Sequence, residues 1–238
     1  MGEDASPRHV EVLRLGHRPG RDPRLTTHLA LTARAFRAQV FHLEPPDEEL
    51  ARRVRATTER FGGTFRVEGV RAWRPLLKGW KGTSVHLTMY GEDLDEVAPR
   101  LLASPGPYLV VVGGPKVPRE VYEASTFNVA VTHQPHSEVA ALAITLDRFL
   151  GTPRSELREG ARLQVLPAAR GKRVVDRNGQ DVPGGEFDPE LEEEGEEERH
   201  GEADQAVHLA HLSGSSQKEA PPRTRARSPT GPDTLELQ

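Results

Sequence analysis

Leu109, Val110, Val111 and Val112 run straight into Gly113-Gly114-Pro115-Lys116-Val117-Pro118, and this junction restricts the fold most. A short, apolar run rich in β-branched residues is the mark of a strand covered on both faces. Paired glycines let the backbone behind it take unusual dihedrals and approach a neighbour closely, while two prolines stiffen the turn beyond them. Pro118 suits the first position of a short helix over 118–123. The pattern then recurs. A second strand, Phe127 to Val131, ends in Thr132-His133-Gln134-Pro135-His136-Ser137-Glu138, and Ser137 is a good N-cap for a helix with Glu138 in its first turn. Val139, Leu142, Ala143, Leu146, Phe149 and Leu150 mark one face at helical spacing, and Gly151 and Pro153 end it.

The chain upstream has the same alternation. Val10 to Leu15 reads as a strand, followed by a Gly- and Pro-rich loop from Gly16 to Arg24 and a helix that Thr26 or Thr27 would cap. Gln39 to Leu43 is a strand. Pro45-Pro46-Asp47 opens a helix that Gly62-Gly63 closes after Phe61. Thr64 to Val70 and Thr83 to Met89 are strands on either side of an Arg- and Trp-bearing segment, 71–81. Asp93 to Ala103 is helical, with Pro99 expected to shorten or bend it. Segments 161–166 and 173–175 suit a small hairpin or edge strands. Strands alternating with helices imply an α/β fold, a mostly parallel sheet with helices on both faces.

Charge divides the 238 residues. Residues 1–185 carry 27 Lys+Arg and 22 Asp+Glu, a net of +5; residues 186–238 carry 5 and 14, a net of −9, which together make the chain's −4. The expected organisation is a domain over 1–185 and a disordered acidic, Ser/Pro-rich tail over 186–238, with 207–212 as a short helical island. With no cysteine, disulfides, thiol nucleophiles and cysteine-ligated metals are excluded. No apolar run reaches the length of a membrane span, so a soluble cytoplasmic protein is expected.

The chemistry-bearing residues are few. No P-loop and no Gly-x-Gly-x-x-Gly opens a helix, so a cofactor must be held differently. Alone, Gly113-Gly114 suits a tight turn; two such loops after adjacent strands also suit a ligand crevice beyond the strand ends. His133 and His136 with Glu138 fall short of a convincing zinc set, so no metal is expected. Ser137 is a helix cap rather than a nucleophile, since no nucleophile elbow surrounds it. Arg14, Arg18, Arg21 and Arg24 form either a solvated basic loop or a phosphate cluster, guanidinium being a rigid bidentate donor. Arg71, Trp73, Arg74, Lys78, Trp80 and Lys81 interleave cations with rings as an RNA-stacking face would, or bury the tryptophans instead.

Four separated blocks carry a resemblance: Val12 to Ala38 (VLRLGHRPGRDPRLTTHLALTARAFRA), Ser84 to Asp93 (SVHLTMYGED), Val111 to Glu123 (VVGGPKVPREVYE) and Asn128 to Arg148 (NVAVTHQPHSEVAALAITLDR). In this order they resemble the archaeal tRNA 2′-O-methyltransferases of the SPOUT superfamily that act on cytidine 56 of the T-loop, over about residues 10 to 175. The resemblance implies a C-terminal trefoil knot, a rare exception to unknotted topology. It also implies a homodimer, bent S-adenosylmethionine as cofactor, tRNA as substrate, and methyl transfer to a ribose 2′-hydroxyl. The implied cofactor contacts are Leu87; Gly113, Gly114, Pro115, Lys116 and Val117; and Val131, Thr132, His133, Gln134, Pro135, His136, Ser137 and Glu138. Arg18, Arg21 and Arg24 are the implied candidates for activating the hydroxyl or gripping its phosphate. Two departures stand out: Arg37, where the family is expected to favour glycine, and Thr132-His133, where Gly-Asn is expected. Competing readings are a SPOUT enzyme for another RNA position and a non-enzymatic RNA-binding module.

Overall fold

A computed structural model describes residues 8–114, 116–151 and 157–182. The expected tail over 186–238, its helical island and Pro115 lie outside the described residues. Six strands, β1 (Val10–Arg14), β2 (Val40–Leu43), β3 (Arg66–Gly69), β4 (Thr83–Asp93), β5 (Tyr108–Val112) and β6 (Phe127–Ala130), form one sheet in the order β3-β2-β1-β5-β4-β6. Every pairing in it is parallel. The expected strands 5 and 6 are therefore not neighbours, because β4 lies between them.

Side-chain alternation sorts the two faces. Val10, Val12, Phe41, Leu43, Val85, Leu87, Val110, Val112 and Val129 point into the larger core. There they meet α1 (Pro23–Ala35), α2 (Glu48–Phe61), α4 (Leu94–Ala103) and α6 (Glu138–Leu150). Leu13, Leu15, Leu109 and Val111 point the other way, onto α3 (Trp73–Gly79) and α5 (Arg119–Ala124). Leu29, Leu142 and Leu146 are fully buried on the first face. Each such side chain contributes roughly 1.5–3 kcal/mol of transfer free energy. Where the short helices α3 and α5 stop, a polar chain takes over the second face: Glu11 bonds His9 and His42, across β1 and β2.

Two local expectations change. The helix after β1 begins at Pro23, not at Thr26 or Thr27, because proline at the first position has its φ preset and loses no helical hydrogen bond. Thr26 and Thr27 are instead buried in its first turns. The segment 71–81 contains α3, whose Trp73 is buried against Leu13, Leu109 and Val111, while Trp80 Nε1 donates to Pro107 O (3.0 Å). Both rings serve the fold, so the stacking face read from their spacing loses its aromatic members. Elsewhere Asp47 caps α2, Ser137 caps α6, and α4 runs through Pro99. Residues 163–165 and 174–176 form the antiparallel hairpin β7–β8.

Arg37 has φ +68°. It occupies the left-handed position that closes α1: Ala38 N–H donates to Ala33 O (3.0 Å) and Arg37 N–H to Arg34 O (3.2 Å), the paired bonds of a Schellman cap. A Cβ in this conformation costs roughly 1–2 kcal/mol, which explains why glycine would be favoured here. Part of that is offset by the greater freedom glycine has in the unfolded chain, so Arg37→Gly should raise the unfolding free energy by about 0.5–1 kcal/mol in urea. A decrease would mean that the arginine side chain outweighs its backbone strain.

Candidate active site

Parallel strands end on the same edge of the sheet, so the loops after β1, β5 and β6 share one rim with the end of β4. Beside the β1 loop, three segments shape that rim, and the first interrupts β4. Leu87 and Glu92 both pair with Val129, so residues 88–91 leave the sheet and return. Return requires Gly91, whose Cβ would stand 2.5 Å from the Asn128 carbonyl carbon. The second loop, 113–117, turns as tightly: a Cβ on Gly113 would meet Val117 Cγ2 at 2.1 Å. The third is 131–137, ahead of α6.

Two side chains tie these loops together. His133 Nδ1 donates to Met89 O (2.8 Å), and its Nε2 lies 3.2 Å from Asp93 Oδ1, which fastens the third loop to the first. Arg14 joins the second to the third. Its Nη1 donates to Gly113 O (2.8 Å) and stands 3.9 Å from Glu138 Oε1. Arg14 is 0% exposed, and its Nε and Nη2 find no hydrogen-bond partner. Burial pushes its pKa down, against the pull of Glu138. A buried, under-satisfied cation is expensive, and its persistence here needs a purpose beyond packing.

The loop after β1 is anchored by His17, itself buried: Nε2 donates to the Asp47 carboxylate (3.0 Å) and Nδ1 pairs with the Thr26 hydroxyl (2.9 Å). Arg18 then donates twice to Asp22, at 2.6 and 2.9 Å. That bidentate pair lifts the Arg18 pKa and holds the Asp22 carboxyl below its usual range. Arg21 and Arg24 are exposed, and with Asp22, Leu25, His28, Ser137 and Val139 they line an open cleft of about 600 Å³ between α1 and the start of α6.

The residues singled out from the sequence are thus brought to one rim, with differing exposure. Leu87 and Gly113 are buried; Gly114, Val117, Val131, Thr132 and Glu138 are half-buried; Lys116, His133, Gln134, Pro135, His136 and Ser137 are exposed. Pro115 lies outside the described residues. Among the described residues the backbone N–H groups of Gly114, Lys116 and Val117 have no protein partner, which leaves donors for a ligand. Sequence reasoning does not assign Arg14, His17 and Asp22 their parts in holding the rim. The available signal is an arginine within the otherwise apolar run Val12-Leu13-Arg14-Leu15.

A family model described as tRNA ribose 2′-O-methyltransferase, aTrm56, matches residues 61–175. The chain is similar to the tRNA (cytidine(56)-2′-O)-methyltransferase of Pyrococcus horikoshii, 48% identical over 175 residues, 71% of this chain and 86% of that protein. The protein of the same description in Methanothrix thermoacetophila is 50% identical over 171 residues, 71% of this chain and 98% of that one. That of Halobacterium salinarum is 50% identical over 170 residues, 70% and 88% of the two chains. A solved RNA 2′-O ribose methyltransferase is 18% identical, with a TM-score of 0.46 over 63% of this chain and 58% of its own.

The site's electrostatics make two outcomes testable. Arg14→Met should leave thermal stability nearly unchanged, since the variant loses one hydrogen bond but also a buried charge. Amide exchange at Gly113, Gly114 and Val117 should rise, and exchange equal to the parent's would show that Arg14 does not hold this loop. The depressed pKa of Asp22 means that its pairing with Arg18 is present above the ordinary carboxylate value, roughly 3.9, and is lost only as pH falls through a lower one. A carboxyl carbon-13 titration should place the Asp22 midpoint below that value.

Proposed function

Because this chain belongs to the tRNA (cytidine(56)-2′-O)-methyltransferase family, we propose that it methylates the ribose 2′-hydroxyl of cytidine 56 in the T-loop of tRNA, using S-adenosylmethionine. The observation that carries this reading is the near-50% identity to relatives of that activity over about 70% of this chain, with a family model that spans the three loops. Fit to the cofactor is supported by the chemistry of the rim. The donors there are the backbone N–H groups of Gly114, Lys116 and Val117, in a turn where a Cβ on Gly113 would stand 2.1 Å from Val117 Cγ2, with no phosphate-binding motif among them. When bound, S-adenosylmethionine supplies a methyl group on a positively charged sulfur that is already a good leaving group.

The chain's own residues then divide the work. Gly114, Lys116 and Val117 offer backbone donors, Leu87 lies beneath the site, and the segment from Val131 to Glu138 walls it. Arg14 holds the Gly113 carbonyl and the α6 end in one arrangement, keeping the methyl donor's position fixed relative to the cleft. Arg18, oriented by its bidentate pair with Asp22, is a further candidate for activating the hydroxyl or gripping its phosphate. Arg21 and Arg24 face the cleft and grip the phosphate beside the target ribose or activate its hydroxyl. Holding donor and acceptor oxygen near 3 Å is itself a large part of such catalysis, and a displacement of about 1 Å can cost on the order of 10²-fold.

The same reading includes the trefoil knot, with residues 1–185 as the catalytic domain and 186–238 as an appended tail. Strand order supports it: β6 pairs with β4, yet Arg14 on β1 stands beside the first residue of α6. Segment 131–137 must therefore pass back across the ends of β4 and β5, where the β4–β5 connection lies. A homodimer that works on tRNA in the cytoplasm completes the proposal. Among the described residues no helix is long and apolar enough to cross a membrane.

Incubation with labelled S-adenosylmethionine and an unmodified tRNA transcript should place the label on cytidine 56, and label at another nucleotide would redirect the specificity. Arg21→Ala and Arg24→Ala should each lower turnover about 10²-fold with little change in cofactor affinity. Unchanged turnover in both variants would remove this loop from the chemistry.

A further inference from the structure

The β7–β8 hairpin has no part in the rim just described, yet it is built with care. Two strands of three residues cannot hold themselves together in water. Arginines fix them to the opposite end of the molecule. Arg158 donates to Arg34 O (2.8 Å) and Ala35 O (2.9 Å), the last carbonyls of α1. Arg162 donates through Nε to Glu59 O (3.2 Å) and through its backbone to Arg60 O (2.9 Å), at the end of α2. Gly63 N–H donates to Glu159 O (2.8 Å), and a Cβ on Gly62 would stand 2.6 Å from that oxygen, so the docked segment lies directly against the glycine turn.

The hairpin so anchored holds Arg170, Lys172 and Arg177 into solvent. Its acids are otherwise engaged: Asp181 pairs with Arg173 (3.2 Å), and Asp176 accepts from the backbone N–H groups of Asn178 and Gln180. Among the described residues no salt bridge engages the three outward cations, although the Asp176 carboxylate lies within electrostatic reach of Arg177. At the other end of α1 stand Arg21 and Arg24. Between the two ends, the 13 residues of α1 include no carboxylate. At about 1.5 Å per residue, the 13 residues of α1 set its two ends roughly 20 Å apart, so the Arg158 anchor stands farther from Arg24 than one nucleotide can span.

Exposed lysines and arginines are common, and alone they would mean only a solvated turn. The anchors change that, because they fix the base of the hairpin against α1 and α2 before any partner arrives, and α1, which runs from those anchors to the cleft, carries no carboxylate. We propose that the hairpin is a second RNA contact, a cationic spur anchored at the far ends of α1 and α2 that takes backbone phosphates of the tRNA away from the reacting ribose. Its exposed side chains are cations suited to phosphate, so the contact is independent of sequence and supplies affinity and orientation. This inference rests on the tRNA reading above.

The test uses the full chain carrying Arg170→Gln, Lys172→Gln and Arg177→Gln together, all at exposed positions. A control variant, Arg71→Gln, Lys78→Gln and Lys81→Gln, removes equal charge in and around α3 on the opposite face. Affinity for tRNA transcript is measured across salt, with kcat, the KM for tRNA and the Kd for S-adenosylmethionine. The hairpin variant should bind tRNA about tenfold more weakly, and the slope of log affinity against log salt should fall by about two, as expected for the loss of two or three phosphate contacts. Turnover at saturating tRNA and cofactor affinity should not change. Parental tRNA affinity and slope in the hairpin variant, or equal weakening in the control, would overturn the spur. A parent protein that neither binds nor methylates tRNA would instead overturn the reading on which the spur rests.

Discussion

Everything at the candidate site depends on the parallel ladder of β1, β5 and β4. Parallel pairing makes the strands end on one edge, and each connection must then travel back over a face of the sheet as a helix. Burial on both faces in turn demands apolar strands, which Leu13, Val110 and Val111 supply. The same constraint that builds the core therefore gathers the special loops onto a single rim. No loop needs to seek another, because the sheet has already aligned their starting points.

Within that frame the polar groups at the rim are organised against cost. Arg14 is a cation in the innermost position of the sheet, with one close acceptor and a carboxylate at 3.9 Å. A hydrophobic residue in its place would serve packing better, so its value lies in joining loops that come from distant parts of the chain. Arg18 and His17 solve a similar problem nearer the surface. His17, between Asp47 and Thr26, fixes where the arginine segment starts, and Asp22 fixes which way Arg18 points. Arg21 and Arg24 are left exposed along the cleft. The cations on the hairpin extend the same logic, with arginine guanidinium groups capping the ends of α1 and α2 to hold others outward.

Much of the fold was legible residue by residue. The β-branched run before Gly113, the Ser137 cap and the apolar spacing from Val139 to Leu150 depend on local periodicity and dihedral preference, and these survive into the structure, with Ala141 and Thr145 rather than Ala143 completing the buried face of α6. Errors fell where a local rule had a competitor. Thr26 and Thr27 looked like caps, but Pro23 with its preset φ starts the helix earlier. Trp73 and Trp80 looked like stacking partners beside cations, but the large ring of Trp73 fills the second core better than it serves solvent. Arg37 was legible in reverse: its oddness against the resemblance corresponds to a left-handed cap that its Cβ strains.

Local order along the chain thus determined which segments are strands or helices, where glycine is obligatory, and which charges were available. It did not determine that β4 separates β5 from β6, that β4 breaks to admit residues 88–91, or that Arg14 reaches both Gly113 and Glu138. Those facts arise from contacts between residues about 25 to 125 positions apart, whose energies depend on distance and burial rather than on neighbours in sequence. Only the tertiary structure sets those distances, and so only there do a strand arginine, a glycine turn and a helix end become one site.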